Sequence, residues 1–289
     1  MDRRKLHAVL LTLCAAALWG TTFPAVKVGL EYVNPFNFLM WRFFLATIVL
    51  LIVQMLRGTS INELIRPETV TMGFVMSLSF LMQYLGQVGT TASEAAVLIN
   101  SSPVMVPMLG YALIKERLNA KKWSAVVFGT VGVVLMSGIA AANGNSGYPV
   151  IGTIELLFSA LLTSIFIVVS KKNVAVVKPL DIILGSFIFA SLFIFMFTLL
   201  SGNVSLSLWN SYTTSAIVIY LSLFCTALPF ILWFRGLGSL SATGSTVITL
   251  FEPVVGVALS VVFLGEAFTV LAAAGTSLIF IAIVLMGTQ

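Results

Sequence analysis

The sequence has few charged residues and very little histidine or cysteine. Charged residues make up 9% of the chain, against about 25% in ordinary soluble domains. It has one histidine and two cysteines, Cys14 and Cys225, which lie in apolar runs without metal-binding spacing and which we interpret as packing residues. No P-loop, HExxH or GxSxG motif occurs, which argues against an ATPase and against a familiar hydrolase. We therefore expect no catalytic residue, no metal site and no cofactor.

Apolar residues are abundant instead, at 59% of the 289 residues. A globular core cannot absorb this much apolar surface, whereas a bilayer can, at about 20 residues for each helical crossing. The composition therefore predicts an all-α integral membrane protein without a separate soluble domain. Ten apolar windows predict transmembrane helices, at residues 6–28, 35–56, 69–89, 92–114, 123–142, 149–170, 180–200, 212–234, 240–263 and 267–287.

The basic residues indicate how the chain is oriented in the membrane. Of the 15 Lys and Arg residues, all except Lys27 and Arg42 fall on one side of ten alternating crossings. Because cytoplasmic loops carry the Lys and Arg excess, both termini are expected in the cytoplasm and the chain in the cell (inner) membrane. The loops near 143–147 and 201–211 are then external. The net charge of +5 is explained by this topology, so we expect no nucleic-acid partner.

Residues 1–142 and 143–289 resemble each other. The informative pairs are Pro103 with Pro253 and Glu116 with Glu266, because proline and glutamate stand thirteen residues apart in both halves. Each half contains five predicted spans, an odd number, so the second half crosses the membrane upside down relative to the first. Two inverted five-helix repeats are typical of secondary transporters, whose substrate site lies near the membrane midplane between the repeats.

Several short motifs resemble those of EamA-type transporters in the drug/metabolite transporter superfamily. The matching stretches are Leu18–Lys27, Trp41–Phe43, Phe251–Val254 and Phe263–Glu266, with degenerate first-half copies at Ser101–Pro103 and Ile114–Glu116. They cover essentially the whole chain in the expected order. The resemblance implies ten helices in two inverted repeats, a central cavity, and export of metabolites, often amino acids, or of toxic compounds by alternating access.

Three other functions remain open at this point. A multidrug or toxic-compound exporter would share the same fold. A membrane enzyme acting on lipid would need paired catalytic groups at one depth, whereas the acids of this sequence are scattered. A channel would need a ring of like residues or a selectivity filter, and no glycine-rich filter segment is present.

Polar groups within the predicted spans are the candidates for a substrate site, because a charged side chain inside a bilayer is costly and must face other groups or water. The candidate substrate-binding residues are Trp19, Arg42, Gln83, Tyr84, Asn100, Glu155, Ser159 and Glu252. A guanidinium could hold a carboxylate, an acid could hold an ammonium, and aromatic rings could cover an apolar side chain. This set suits a zwitterionic or amphipathic metabolite such as an amino acid.

Each charged candidate also has a structural interpretation. Arg42 could be a clamp between helices, and Glu252, which precedes Pro253, could mark a hinge. The stripe of Glu155, Ser159 and Thr163, at four-residue spacing, could line the cavity or join two helices. Because burial favours the neutral form of a carboxyl group, Glu155 or Glu252 could exchange a proton, which makes protons a possible coupling ion. Nothing in the sequence indicates the oligomeric state.

Overall fold

The structure is a computed structural model that describes residues 3–56, 64–142, 149–265 and 269–287. All regular structure within these ranges is helical, without a β-strand, which confirms the predicted all-α class. Two sequence-based expectations concern parts outside the described residues, namely the external loop near 143–147 and the role of Glu266 as the partner of Glu116 in the repeat.

The helices are numbered in chain order. They are α1 (Arg3–Gly20), α2 (Thr22–Leu30), α3 (Pro35–Met55), α4 (Pro67–Val88), α5 (Ala92–Ile99), α6 (Ser102–Ile114), α7 (Ala120–Ala142), α8 (Pro149–Asn173), α9 (Pro179–Leu200), α10 (Tyr212–Ser222), α11 (Leu228–Ser239), α12 (Ala242–Thr249), α13 (Phe251–Leu264) and α14 (Val270–Gly287). A π-helical turn, Leu223–Ala227, joins α10 to α11.

Most of these helices, alone or as consecutive pairs, are long enough to cross a bilayer. In the described part of the chain, eight segments have the necessary length and apolar character: Arg3–Leu30, Pro35–Met55, Pro67–Val88, Ala92–Ile114, Val150–Asn173, Pro179–Leu200, Tyr212–Ser239 and Ala242–Leu264. Val270–Met286 is a shorter apolar helix. The chain is therefore a multi-pass membrane protein. The count of ten crossings and the inverted repeat stay predictions.

The segments Ala92–Ile114 and Ala242–Leu264, called the two broken segments below, are interrupted in the middle just before a proline. Pro253 has no N–H, and its ring excludes a normal helical bond to the carbonyl of Thr249, so α12 ends there and α13 begins at Phe251. Pro103 likewise excludes a helical bond to the carbonyl of Ile99, the last residue of α5. At each break a backbone N–H bonds the carbonyl three residues back at 3.2 Å. The sequence allows a kink or a break at Pro253, and the structure shows a break.

The helices pack closely across the two halves of the chain. Helix α4 lies against α8 and α9, α1 lies against α11 and α13, and α7 pairs with α14. The contact between α4 and α8 depends on two glycines. A Cβ atom on Gly86 would stand 2.9 Å from the Gly152 carbonyl oxygen, and a Cβ atom on Gly152 would stand 2.9 Å from the Gly86 carbonyl oxygen. Small residues at such points let helix backbones approach within a membrane. The packing encloses a cavity between α1, α4, α8, α11 and the two broken segments.

Candidate functional site

Arg42 lies in the interior of the bundle and is 1% exposed. Helix α3, which carries it, starts at Pro35, and the Asn34 side chain caps the start by accepting a hydrogen bond from the Phe36 N–H at 3.0 Å. Proline at the first helical position and asparagine at the cap are both favourable there. Arg42 follows Pro35 by seven residues, about 10 Å along the helix axis. The local sequence thus places a guanidinium well below the end of its helix.

The guanidinium is held by three groups on other helices. Its Nε donates to the Thr226 hydroxyl at 2.7 Å, one terminal nitrogen donates to the Tyr84 hydroxyl at 3.0 Å, and the other donates to the Cys225 carbonyl at 3.1 Å. The guanidinium carbon also lies 5.3 Å from the ring centre of Phe80, a cation–π distance. Each terminal nitrogen keeps a second N–H for another partner. Arg42 is therefore rigidly positioned but still able to bind a ligand.

The two partners from the second half exist because of a local distortion of the helix. Pro229 has no N–H and cannot satisfy the carbonyl of Cys225 four residues earlier, and the chain forms the π-helical turn Leu223–Ala227 at this point. The Thr226 hydroxyl donates to the Leu221 carbonyl at 2.8 Å and so turns a lone pair towards Arg42. Turns of this kind are frequent at functional sites. The helix distortion thus creates the two acceptors that bind Arg42.

Glu252 and Asn100 lie at the two helix breaks. Asn100 directly follows α5 as its C-cap, and its side chain donates to the Ala96 carbonyl at 2.9 Å. The same side chain hydrogen-bonds Glu252, which stands in the first turn of α13. Glu252 is close enough to Arg42 for the two charges to attract each other. Among the described residues, however, neither a hydrogen bond nor a direct ion pair joins them. A cationic and an acidic side chain thus face one space without direct contact.

The cavity between these groups has a volume of about 100 Å³. Its lining is mainly apolar, with a small number of polar groups, the usual composition of a small-molecule site. The charged and amide side chains that line it are Arg42, Glu252, Asn100 and Gln83.

Aromatic side chains form the rest of the wall. Trp19 meets Phe230 edge-on with ring centres 5.2 Å apart, and Trp233 stacks on Phe166 at 6.2 Å. Phe80 continues this surface towards Arg42, and all five rings line the cavity. The indole N–H of Trp19 is buried and has no hydrogen-bond partner among the described residues. It can donate to a ligand at the edge of the aromatic wall.

The structure brings together most, but not all, of the residues that the sequence indicated. Trp19, Arg42, Gln83, Asn100 and Glu252 line the cavity. Tyr84 lies behind Arg42 and supports it through the hydrogen bond from the guanidinium.

Ser159 and Glu155 occupy different places from the other candidates. Ser159 is fully buried and exchanges hydrogen bonds with Ser79, whose hydroxyl also contacts that of Thr163 at 2.8 Å. Thr163 does line the cavity, whereas Ser159 joins α4 to α8 behind it. Glu155 lies outside the cavity lining and is partly exposed. Of the two interpretations of this stripe, cavity lining thus describes Thr163 and helix joining describes Ser159.

No metal centre accompanies these groups: in the ranges that the structure describes, no cluster of three His, Cys, Asp or Glu side chains could hold an ion. The arrangement consists of a fixed cation, an acid, amides and an aromatic wall around a small cavity inside a membrane bundle.

The family comparison agrees with this arrangement. The sequence matches the EamA-like transporter family twice, over residues 6–138 and again over residues 150–288. The chain belongs to the EamA-like transporter family. It is therefore a membrane transporter of a small-molecule substrate and not an enzyme, which confirms the resemblance seen in the motifs.

Individual relatives of this EamA-like chain support the same conclusion. An uncharacterized transporter of Archaeoglobus fulgidus is 27% identical over 248 residues, which cover 84% of each chain. A protein of Salmonella typhimurium named "Probable amino-acid metabolite efflux pump" is 26% identical, over 93% of this chain and 91% of the relative. A known crystal structure has the same fold, with a TM-score of 0.78, 20% sequence identity, and coverage of 96% of this chain and 95% of that chain.

Sequence reasoning missed several residues at the site of this EamA-like transporter. Thr226 and the Cys225 carbonyl hold Arg42. The sequence signal for them is Pro229, which cannot donate a hydrogen bond to the Cys225 carbonyl. Phe80 and Phe230 form part of the aromatic wall but look like ordinary core residues in a sequence with 22 phenylalanines.

Proposed function

We propose that this EamA-like protein is a secondary active transporter that exports small metabolites such as amino acids by alternating access through the central cavity. The observation that carries the proposal is that Arg42 and Glu252 both line this cavity without a direct hydrogen bond or ion pair between them, as far as the described residues go. A carboxylate can take the free N–H groups of Arg42, and an ammonium can bind Glu252. The aromatic wall can then cover the substrate's side chain.

The site residues of this proposal are those that line the cavity or hold its charges. Arg42 binds the substrate carboxylate, Glu252 and Asn100 bind the ammonium, and Gln83 and Trp19 donate or accept further hydrogen bonds. Tyr84 and Ser159 act indirectly, since Tyr84 holds Arg42 and Ser159 joins the two helices beside the cavity. We do not assign Glu155 to the substrate, because it lies outside the cavity lining.

We also propose ten membrane helices in two inverted repeats, residues 1–142 and 143–289. Equivalent contacts support this. The Lys27 amine donates to the Gln87 and Thr90 carbonyls at 3.2 and 2.6 Å, near the end of α4. Lys171 donates to the Leu237 and Gly238 carbonyls at 3.0 and 3.3 Å, near the end of α11. Two like lysine contacts at corresponding points are expected if the halves are equivalent.

The helix pairings support the same symmetry. Helix α4 packs on α8 as α11 packs on α1, and α6 packs on α8 as α13 packs on α1. The broken segments cross in the same reciprocal way, with α5 against α13 and α6 against α12. Two equivalent halves can exchange conformations, and such an exchange opens the central cavity alternately to each side of the membrane.

The location and energy source complete the proposal. The Lys and Arg distribution supports a position in the cell membrane with both termini in the cytoplasm. Protons are the coupling ion in this scheme, and Glu252 is the group that carries them, because it is the carboxyl group that shares the cavity with Arg42.

One observation favours a second candidate, the export of toxic or multidrug compounds. Five aromatic rings line the cavity beside one acid, and aromatic faces attract organic cations. A flux screen in proteoliposomes tests both candidates, with amino acids, other metabolites and cationic drugs offered with and without a pH gradient. The proposal requires saturable transport of a zwitterion. Transport of cationic drugs without any amino-acid flux would favour the second candidate.

A further inference from the structure

A second pocket lies at the end of the bundle where α3 ends and α9 begins. It shares no lining residue with the central cavity and has a volume of about 190 Å³. Its lining includes Gln54 from α3, Asp181 from α9 and Ile231 from α11, with Lys178 and Arg235 as its two basic residues. Transport through the central cavity makes no use of these groups.

Two oxygen atoms on residues that line this pocket lack hydrogen-bond donors in the part of the chain that the structure describes. The Gln54 side-chain amide donates to one oxygen of the Asp181 carboxylate at 2.7 Å, which fixes the orientation of both groups. The other Asp181 oxygen and the Gln54 carbonyl oxygen are buried and have no partner among the described residues. The two side chains are 2% and 3% exposed. Buried acceptors left without donors are costly, so the pocket is suited to a ligand that donates hydrogen bonds.

The two basic residues of the pocket are hydrogen-bond donors that lack acceptors on the described part of the chain. Lys178 and Arg235 are exposed, and within the described ranges neither has a hydrogen-bond or ion-pair partner. Lys178 immediately precedes Pro179, the first residue of the 22-residue helix α9. The start of a helix is electropositive and favours anions. The mouth of the pocket therefore attracts a negative charge, whereas the residues at its floor, Gln54 and Asp181, carry acceptor oxygens without donors from the described residues.

An apolar strip leads from the pocket towards the membrane interior. Leu228, Ile231 and Arg235 share one face of α11, because residues three, four and seven positions apart align on a helix. Leu228 is exposed and Ile231 partly exposed. From Leu228 to Arg235 the helix rises about 10 Å. The strip thus joins a headgroup-level cation to side chains at the depth of the acyl chains.

We propose that this pocket binds the headgroup of a membrane phospholipid that carries a primary ammonium next to its phosphate. The phosphate lies between Lys178 and Arg235. The ammonium donates to the free Asp181 oxygen and to the Gln54 carbonyl oxygen, and an acyl chain follows Leu228 and Ile231. The ligand supplies in one molecule the anion that the mouth attracts and the donors that the floor lacks.

Other headgroups satisfy only part of the pocket. A quaternary ammonium, as in choline, has no N–H to donate to Asp181 or Gln54. A glycerol headgroup donates only from neutral hydroxyls, which form weaker hydrogen bonds with a carboxylate than an ammonium does. A phosphate without an amine leaves both floor oxygens unpaired and approaches the Asp181 charge.

Native mass spectrometry of the full chain, purified in detergent, tests the proposal. The protein is offered phosphatidylethanolamine, phosphatidylglycerol and phosphatidylcholine with identical acyl chains. We expect each protein molecule to retain one phosphatidylethanolamine. Its retention should be about tenfold stronger than that of phosphatidylcholine, because only the ethanolamine ammonium can form a charge-assisted hydrogen bond. Replacing both cations, with Lys178→Ala and Arg235→Ala, should lower retention by about tenfold. Lys172→Ala is the matched control, since Lys172 is exposed and outside the pocket lining.

The Asp181→Asn variant separates the two parts of the site. It replaces an acceptor by an N–H donor of the same shape, so it should abolish the preference for phosphatidylethanolamine over phosphatidylcholine while Lys178 and Arg235 still bind phosphate. If this variant does not fold, Gln54→Leu provides a second test and should reduce the same preference. Each variant is compared with the wild type for melting temperature and monodispersity.

Three results would overturn the proposal. Equal retention of the ethanolamine and choline lipids by the wild type would exclude donation to Asp181 and Gln54. Stronger retention of phosphatidylglycerol would show that the ammonium is not recognised. Stabilisation by soluble phosphoethanolamine or inorganic phosphate that equals the effect of the lipid would assign the pocket to a free phosphate compound instead.

Discussion

A hydrogen bond of 2.7 Å joins the Arg42 Nε to the Thr226 hydroxyl across 184 residues of sequence. The bond connects α3 in the first half of the chain to the π-helical turn in the second half, beside the central cavity. Thr226 itself donates to the Leu221 carbonyl, so its free lone pair points at the guanidinium. Arg42 therefore lies at the junction of the two halves. This bond must either be kept or be broken when the halves move relative to each other.

Replacement of Arg42 by lysine should impair transport although the positive charge is kept. A lysine amine is a point charge and cannot bond Thr226, Tyr84 and the Cys225 carbonyl in the fixed geometry of a guanidinium. We expect kcat/KM for the best substrate to fall by about tenfold to a hundredfold, which corresponds to the loss of one charge-assisted hydrogen bond. Initial rates in proteoliposomes measure this effect. Arg117→Lys, at an exposed loop position, is the control and should keep the wild-type rate.

Removal of the Tyr84 hydroxyl should weaken substrate binding without a change in the cavity lining. Tyr84→Phe keeps the ring that packs edge-on against Phe38 at 5.5 Å and removes only the acceptor of the Arg42 bond. A hydrogen bond to a charged group contributes about 1.5–3 kcal/mol, so KM should rise and the melting temperature should fall. Tyr212→Phe, at an exposed position, is the control. An unchanged KM in Tyr84→Phe would show that Arg42 needs no support from α4.

Glu252→Gln should separate exchange from proton-driven transport. Glutamine keeps the size and hydrogen-bonding capacity of the side chain next to Asn100 but cannot release a proton. We expect counterflow of substrate to persist at a reduced rate, while accumulation driven by a pH gradient disappears. Glu155→Gln removes the acid that lies outside the cavity and should leave both activities intact. If pH-driven accumulation survives in Glu252→Gln and is lost in Glu155→Gln, the proton site has been assigned to the wrong acid.

Cysteine labelling should establish the orientation of the chain. In a background with Cys14→Ala and Cys225→Ala, which retains the Cys225 backbone carbonyl that binds Arg42, a cysteine at Ser211 should react with impermeant thiol reagents from outside the cell. A cysteine at Lys172 should react only after permeabilisation. Both positions are exposed. The reverse pattern would invert the topology and place both termini outside.

The sequence predicted the secondary structure far better than the geometry of the site. Apolar windows locate the helices because each must match the bilayer thickness, and Pro253 marks a helix break because proline removes a backbone bond. Arg42 and Glu252 stood out because charges inside spans are rare. The rotation of α8 depends instead on its packing against α4, where Ser159 meets Ser79. Glu155 therefore could not be placed outside the cavity from the four-residue spacing.

The central claim is that a zwitterionic metabolite crosses by alternating access through the cavity that contains Arg42. The most direct measurement is counterflow in proteoliposomes, with unlabelled amino acid inside and labelled amino acid outside, for the wild type and for Arg42→Ala. The account predicts saturable uptake that the internal amino acid stimulates, and loss of this stimulation in Arg42→Ala protein that is still folded and inserted. Uptake that neither saturates nor responds to internal substrate, or that is equal in the two proteins, would contradict it.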